Sequence, residues 1–390
     1  MIEKEYSYFL PIGPQHPALK ESMHLTFKME AEEIKDMDFN VGYVHRGIEG
    51  GMMTRSYDKS LYLAQRICGI CNQIHASAYC LAVERLVPTF QVPKRAEYIR
   101  TVLNELERIH SHMLFVGVAA HEFGFDTVFM YTWRDRELIM QLKEKITGNR
   151  VTNDMNCVGG MRRDIPKELE KELEDAVEYF SERADYYVRV FTKDISVQKR
   201  TKGIGVLSKK DARRLNAVGP TARSSGIDYD IRSADPYEVY KYIKFKPVIL
   251  EDGDVFARVA SRILEVKQAC DVIRQCLPLP EGKLKEVFPR NVPPAEAVAS
   301  VEAPRGELFY YAKSNGTNIP ERIKVRTPTY ANFLALKQFT VGYKLADIPL
   351  LVASIDPCLS CTDRVTVVDE KSTRVLTHAD LQDIAKEEYR

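Results

Sequence analysis

QRICGICNQIH, residues 65–75, sets two cysteines three positions apart and a histidine four positions after the second. The same C-x-x-C spacing returns in IDPCLSCTDR, residues 355–364, at the other end of a 390-residue chain. A C-x-x-C pair bends so that both sulfurs face one centre, and two pairs supply four thiolates. Spacing alone fits a structural zinc site, an iron–sulfur cluster or a redox disulfide pair. The surroundings are not those of a plain zinc clasp. Arg66 precedes Cys68, His75 follows Cys71, and Asp356 and Pro357 precede Cys358. If a helix starts at Cys71, His75 falls on the same face. Such groups orient thiolates and tune their basicity at a centre that handles protons and small ligands. Cys80, Cys157, Cys270 and Cys276 stand alone or on helical faces and read as buried, inert thiols.

The rest of the composition is globular: 45% hydrophobic, 28% charged, and 56 basic against 55 acidic residues for a net charge of +1. That balance gives no electrostatic case for a nucleic-acid partner. Basic residues between Lys193 and Arg214 read as a solvated helix face. No stretch reaches the roughly 18 apolar residues of a membrane helix. MLFVGVAA (113–120) and IPLLVASI (348–355) have core length only. The opening MIEKEYSYFLPIG carries no signal-peptide pattern. The expectation is an intracellular chain with thiol or metal-bound cysteines, attached to a membrane only through a partner.

Periodicity divides the chain. Residues 1–60 alternate polar and apolar positions and include the glycine-bearing NVGYVHRGIEGG, which predicts a small β-region. Residues 95–290 are dominated by helical spacing: Ile99, Val102, Leu103, Leu106, Ile109, Met113 and Leu114 share one face. Further helices are expected near 135–147, 166–191, 208–216 and 253–276, the last capped by Asp252 or Asp254. Residues 291–334 are rich in proline and glycine, with strand-like ELFYYAK and RIKVRT. VTVVD and TRVLT near the end read as two strands around a turn, followed by a short charged helix. No linker is evident, so the expected fold class is α+β, predominantly helical, a single domain over residues 1–390 with a β-rich N-terminal part and a tail at 365–390.

R-x-C-G-x-C-x-x-x-H together with D-P-C-x-x-C resembles the two signature motifs of the large, catalytic subunit of nickel–iron hydrogenases. Five other segments look like the quinone-site 49 kDa subunit of respiratory complex I, which lacks the four cysteines: GPQHPALKE (13–21), GYVHRGIE (42–49), GGMRRDIP (159–166), GPTARSSGIDYDIR (219–232) and RIKVRTP (322–328). Together they narrow the resemblance to the membrane-bound, energy-converting hydrogenases related to complex I, over about residues 9–364.

The resemblance implies that Cys68 and Cys358 are terminal nickel thiolates, and that Cys71 and Cys361 bridge nickel to an iron carrying carbon monoxide and cyanide. Soft thiolates suit nickel. It further implies that Arg305 stands over the open metal position, held by Asp356 through a bidentate pair; the plainer expectation for Arg305 is a loop partner, Glu302 or Glu307. His75 would hydrogen-bond a bridging thiolate, and Pro328 and Thr329 would cradle an iron cyanide. Glu21 is the expected proton-transferring acid, with His16 in the same path. Glu49 matches an acid that helps bind magnesium in relatives; here Arg364 replaces the usual histidine, so Glu49 has Arg364 as an alternative partner. Glu122, His121 and His112 are further polar candidates.

On this resemblance the expected activity is reversible interconversion of dihydrogen with protons and electrons. The implied partners are an iron–sulfur small subunit, integral membrane ion-translocating subunits and, through the complex, ferredoxin, at the cytoplasmic face of the membrane. A quinone- or sulfur-reducing relative is the alternative, and a zinc-binding scaffold a more distant one. The tail at 365–390 is either removed during maturation or kept as a hairpin.

Overall fold

The alternating N-terminal sequence forms a three-stranded antiparallel sheet: β1 (Ser7–Ile12), β2 (His24–Glu30) and β3 (Glu33–Asn40), in order β1-β2-β3. Leu25, Phe27 and Met29 point inward, and Thr26 and Lys28 between them point the other way, as the pleat requires. The computed structural model describes residues 7–17 and 19–362, and in the tail 367, 368, 373, 374, 380, 383, 386 and 387. The β-region is shorter than the expected 1–60. HRGIEGG opens a helix instead, α1 (Ile48–Met52), and α2 (Tyr57–Gln65) follows. Gly47, in left-handed backbone (φ 63°), caps α1.

Next come α3 (Asn72–Glu84), α4 (Lys94–Glu122), α5 (Asp126–Thr147), the short strands β4 (Asn156–Cys157) and β5 (Gly160–Met161), and α6 (Lys167–Lys193). Four short helices, α7 (Ile195–Thr201), α8 (Lys209–Arg214), α9 (Gly219–Arg223) and α10 (Ile231–Ala234), lead to α11 (Val255–Cys276). Asp254 is the cap of α11, its carboxylate accepting from the Ala257 amide at 2.7 Å. α5 begins well before the expected residue 135.

A second antiparallel sheet joins β6 (Ala295–Ala303), β7 (Gly306–Ser314) and β8 (Arg322–Arg326). Helices α12 (Pro328–Thr340) and α13 (Ile348–Ser354) complete the described body. Val367–Val368 pairs antiparallel with Thr373–Arg374, as the tail pattern predicts. Two apolar clusters result. The larger is built around α4, α6 and α11; the other packs α2 and α3 on β6–β8 and includes all four C-x-x-C cysteines.

α4 packs against α5, α11 and α3, so its polar residues are buried along with the apolar face. Buried charges require partners. Arg100 forks onto Glu84 at 2.8 and 3.0 Å, and Arg232 joins Glu105 at 3.1 Å. Glu238 lies 3.7 Å from the same Arg100, and burial raises its carboxyl to about 8. The unfolded chain loses this proton near the ordinary value of 4.5, whereas the folded chain keeps it to about 8. Stability therefore falls as pH rises through that window. Glu238→Gln is expected to raise the melting temperature at pH 8 and to change it little at pH 5, a difference that thermal melts at the two pH values will read.

Candidate metal centre

Cys68 lies in the loop between α2 and α3, where the amides of Ile70 and Cys71 donate to its sulfur at 3.3 and 3.1 Å. Cys71 is the N-cap of α3, and His75 sits one turn in. The opening amides of α3, Gln73 and Ile74, donate to the two oxygens of Glu107 on α4 at 2.8 and 2.9 Å. A carboxylate at a helix N-terminus satisfies free donors and faces the positive end of the dipole. The first cysteine loop is thus fixed to the longest helix.

The second pair follows α13. Asp356 takes left-handed backbone (φ 54°) and turns the chain into Pro357 and Cys358. Thr329, in the first turn of α12, accepts from the Cys358 amide at 3.2 Å, and Thr327 donates to the Cys361 carbonyl at 3.0 Å. Arg46 ties the two loops together, donating to the carbonyls of Arg66 and Ile67 at 2.7 Å and of Ser360 at 3.1 Å.

Three of the four sulfurs, those of Cys68, Cys358 and Cys361, lie within 4.8 Å of one another. Cys358 is 3.5 Å from Cys68 and 2.9 Å from Cys361, sulfur to sulfur. A disulfide would stand at about 2.05 Å, so these are separate thiols. The fourth, Cys71, accepts from Arg305 Nη1 at 2.9 Å. Hydrogen bonds from the other three thiols hold Cys68 well below the ordinary thiol range; hydrogen bonds to neighbouring thiols, with burial, push Cys71 and Cys361 up. A buried set of soft sulfur donors from two distant loops fits nickel or another thiophilic metal.

Arg305 occupies the tight turn between β6 and β7. Gly219, at φ 64°, lets the α9 backbone touch this turn; a Cβ there would lie 2.4 Å from the Arg305 carbonyl. The guanidinium, 3% exposed, reaches the Asp356 main-chain carbonyl through Nε at 2.6 Å and its carboxylate through Nη2 at 2.9 Å. The fork therefore spans one carboxylate oxygen and one carbonyl, not both carboxylate oxygens. Glu302 and Glu307 are committed elsewhere, to Arg223 at 2.8 Å and Arg326 at 3.2 Å. Burial pulls the Arg305 proton down, but Asp356 and the cysteine sulfurs outweigh it and hold the group cationic.

His75 Nδ1 meets the Tyr310 hydroxyl at 2.8 Å, and its Nε2 lies 3.7 Å from Cys361 Sγ. Burial lowers it to about 4, so the ring is neutral near pH 7. Glu21, in the segment between β1 and β2, accepts from the amides of Leu359 and Ser360, the latter at 3.0 Å, and from the Ser360 hydroxyl at 3.3 Å. Burial raises its carboxyl. Glu21, Arg305 and Asp356 line one cavity of about 160 Å³ whose other walls are mainly apolar, among them Phe115, Val118 and Leu359. Thr329 and Pro328 are buried at the start of α12, beside the second cysteine loop.

Other candidates lie apart. Glu49 pairs with Lys324 at 2.9 Å and accepts from the Val325 amide at 3.0 Å, joining α1 to β8, and it is not in the cysteine cluster. Its expected partner Arg364 is outside the described residues. Glu122 pairs with Lys20 at 2.7 Å, His121 with Asp126 at 2.7 Å, and His112 with Glu265 at 2.9 Å. His16 is exposed. Arg46, Glu107, Thr327 and Tyr310 are contacts that sequence reasoning passed over.

Two family models match the chain: the respiratory-chain NADH dehydrogenase 49 kDa subunit over residues 122–290 and 286–364, and nickel-dependent hydrogenase over 46–196. The chain is similar to the membrane-bound hydrogenase subunit alpha of Pyrococcus furiosus, with 41% identity covering 98% of this chain and 93% of the relative. It belongs to the family of nickel–iron hydrogenase large subunits and their complex I 49 kDa relatives. The carbon monoxide-induced hydrogenase of Rhodospirillum rubrum is 40% identical over 92% of this chain and 99% of the relative. Among solved structures, a chain of the archaeal membrane-bound sulfane sulfur reductase superposes with a TM-score of 0.86, at 33% identity, over 93% of this chain and 100% of that one. The hydrogenase large-subunit family is one of oxidoreductases, and its helical α+β fold is the one described above. Among the described residues no helix is long and apolar enough to cross a membrane.

Proposed function

We propose that the chain is the catalytic subunit of an energy-converting hydrogenase that interconverts dihydrogen with protons and electrons. In this reading Cys68, Cys71, Cys358 and Cys361 would hold a nickel–iron centre, Cys71 and Cys361 in the bridging role that the resemblance implies. The observation that carries it is the Arg305 guanidinium donating to Cys71 Sγ at 2.9 Å while Asp356 fixes it from the other side. A zinc clasp has no use for a buried cation aimed at a ligand sulfur. When bound, the nickel–iron centre, with carbon monoxide and cyanide on iron, supplies soft Lewis-acid and two-electron chemistry.

The chain's own residues supply the rest. Arg305 places fixed positive charge beside Cys71, and Asp356 keeps it there. Neutral His75 stands beside Cys361, its ring held in place by the Tyr310 hydroxyl. Glu21 is held against the second cysteine loop with its carboxyl raised by burial, so it takes up and passes on protons closer to neutral pH. Pro328 and Thr329, buried beside the second cysteine loop, would help enclose the group. Electrons pass to an iron–sulfur small subunit and on to ferredoxin, within a complex whose membrane subunits hold this chain at the cytoplasmic face.

Metal analysis and infrared spectroscopy of the native complex test the reading. The expected result is nickel and iron in equal amounts, with carbonyl and cyanide bands; zinc without those bands would sink it. The likeness to a sulfane sulfur reductase supports a second reading, reduction of sulfur species on the same fold. Sulfide production without hydrogen turnover would select it. Glu21→Gln keeps one acceptor for the loop amides but loses the proton. It is expected to slow hydrogen evolution about a hundredfold with infrared bands unmoved. An unchanged rate would remove Glu21 from the proton path.

A further inference from the structure

Asp356 spends one carboxylate oxygen and its main-chain carbonyl on Arg305. Its second oxygen, Oδ2, is buried and has no partner among the described residues. A second arginine stands close behind the same cavity. Arg262 on α11 is 0% exposed, its guanidinium 4.2 Å over the ring of Phe115. Nη1 donates to the Arg258 carbonyl at 2.7 Å, whereas Nε and Nη2 have no partner among the described residues. Phe115 and Asp356 line the cavity that also contains Arg305 and Glu21.

The charges around Arg262 leave Asp356 as its counterpart. Glu265 is committed, one oxygen to Arg223 at 2.8 Å and the other to His112 at 2.9 Å. Arg223 and Arg305 are like charges. Asp356 comes ahead of Glu265 among the acids that act on Arg262. Burial lowers Arg262 only to about 10, so it stays cationic at neutral pH. A buried guanidinium with two idle donors and a carboxylate with one idle oxygen are complementary, and leaving either unpaired is costly. Buried polar groups that do not touch directly are joined by internal water.

We propose that Arg262 is a positioning residue of the site, holding Asp356 Oδ2 through bridging water so that Asp356 is clamped between two arginines and presents Arg305 to Cys71. The effect on turnover rests on the hydrogenase reading; the bridge itself does not.

A high-resolution map of the native complex is expected to show ordered solvent within hydrogen-bond reach of both Asp356 Oδ2 and Arg262 Nε or Nη2. Arg262 paired with another side chain, and no solvent there, overturns the proposal. Arg262→Met keeps the apolar stem but removes the donors. At wild-type metal content it is expected to shift the cyanide bands and lower turnover about tenfold, and Arg262→Lys to move the bands part of the way back. Adding Arg262→Met to Asp356→Asn should cost no more than Asp356→Asn alone. Unmoved bands with additive losses overturn the positioning role. If Arg262→Met does not fold, Arg262→Lys and the map decide. A wild-type complex without carbonyl and cyanide bands would defeat the hydrogenase reading, while the map still judges the bridge.

Discussion

Cys361→Ser is expected to bring hydrogen uptake and evolution below detection and to leave the purified complex without nickel. Serine is close to cysteine in size, so the loop should keep its place. The Cys361 carbonyl still accepts from Thr327, and the Cys358 amide still donates to Thr329. What changes is the donor atom. A hydroxyl is hard and stays protonated near neutral pH, whereas a thiolate is soft and shareable between two metals. Cys361 Sγ is 2.9 Å from Cys358 Sγ and 3.7 Å from His75 Nε2, but in this reading Cys358 is already a ligand and the His75 ring is held by Tyr310. Loss of a supporting partner around a metal site costs about 10–100-fold. Loss of a proposed bridging ligand should exceed that, about a thousandfold or more. Hydrogen evolution from a chemical reductant and nickel per mole of complex are the measurements, and retention of either refutes the bridging assignment.

The legible parts of this chain were those whose cause is local. Ile99, Val102, Leu103, Leu106, Ile109 and Met113 repeat at helical spacing, and all fall within α4 at no more than 1% exposure, whereas Leu114, expected on the same face, is only half-buried. Asp254 stands where a cap should and is one. The paired cysteines, with His75, Asp356 and Arg305, carry a motif, and the fold brings them together. The N-terminal region was overextended because HRGIEGG offers glycines that read as turns between strands. Gly47 instead uses its positive φ to start α1, freeing Arg46 to reach both cysteine loops. AEAVASVEA became β6 although its small residues gave little strand signal; pairing with β7 along its whole length decides it. Glu49 meets Lys324, 275 positions away, a contact that spacing does not announce, while its expected partner Arg364 lies outside the described residues. Glu107 and Arg262 stand in helical runs whose spacing alone does not say which polar residues are buried. Both are fully buried, and only the tertiary arrangement says which group each one meets.

Arg305→Lys should retain nickel and iron at wild-type levels yet lose about 10²–10³ in turnover, the scale of one preorganised electrostatic donor. Arginine here performs three contacts from one rigid plane: Nε to the Asp356 carbonyl, Nη2 to its carboxylate and Nη1 to Cys71 Sγ. A lysine ammonium is a compact, strongly hydrated point on a flexible stem and cannot span those directions at once. If it follows Asp356, it leaves the sulfur; if it follows the sulfur, it leaves both oxygens of Asp356 without their donor. The charge survives in either case, so the substitution separates placement from charge. Because Arg305 is no metal ligand, nickel content and the number of infrared bands should not change, and only rate and band position should. A lysine variant with more than half the wild-type rate would mean that a cation anywhere near Cys71 suffices, and the clamp formed with Asp356 would then be a feature of the fold and not of the chemistry.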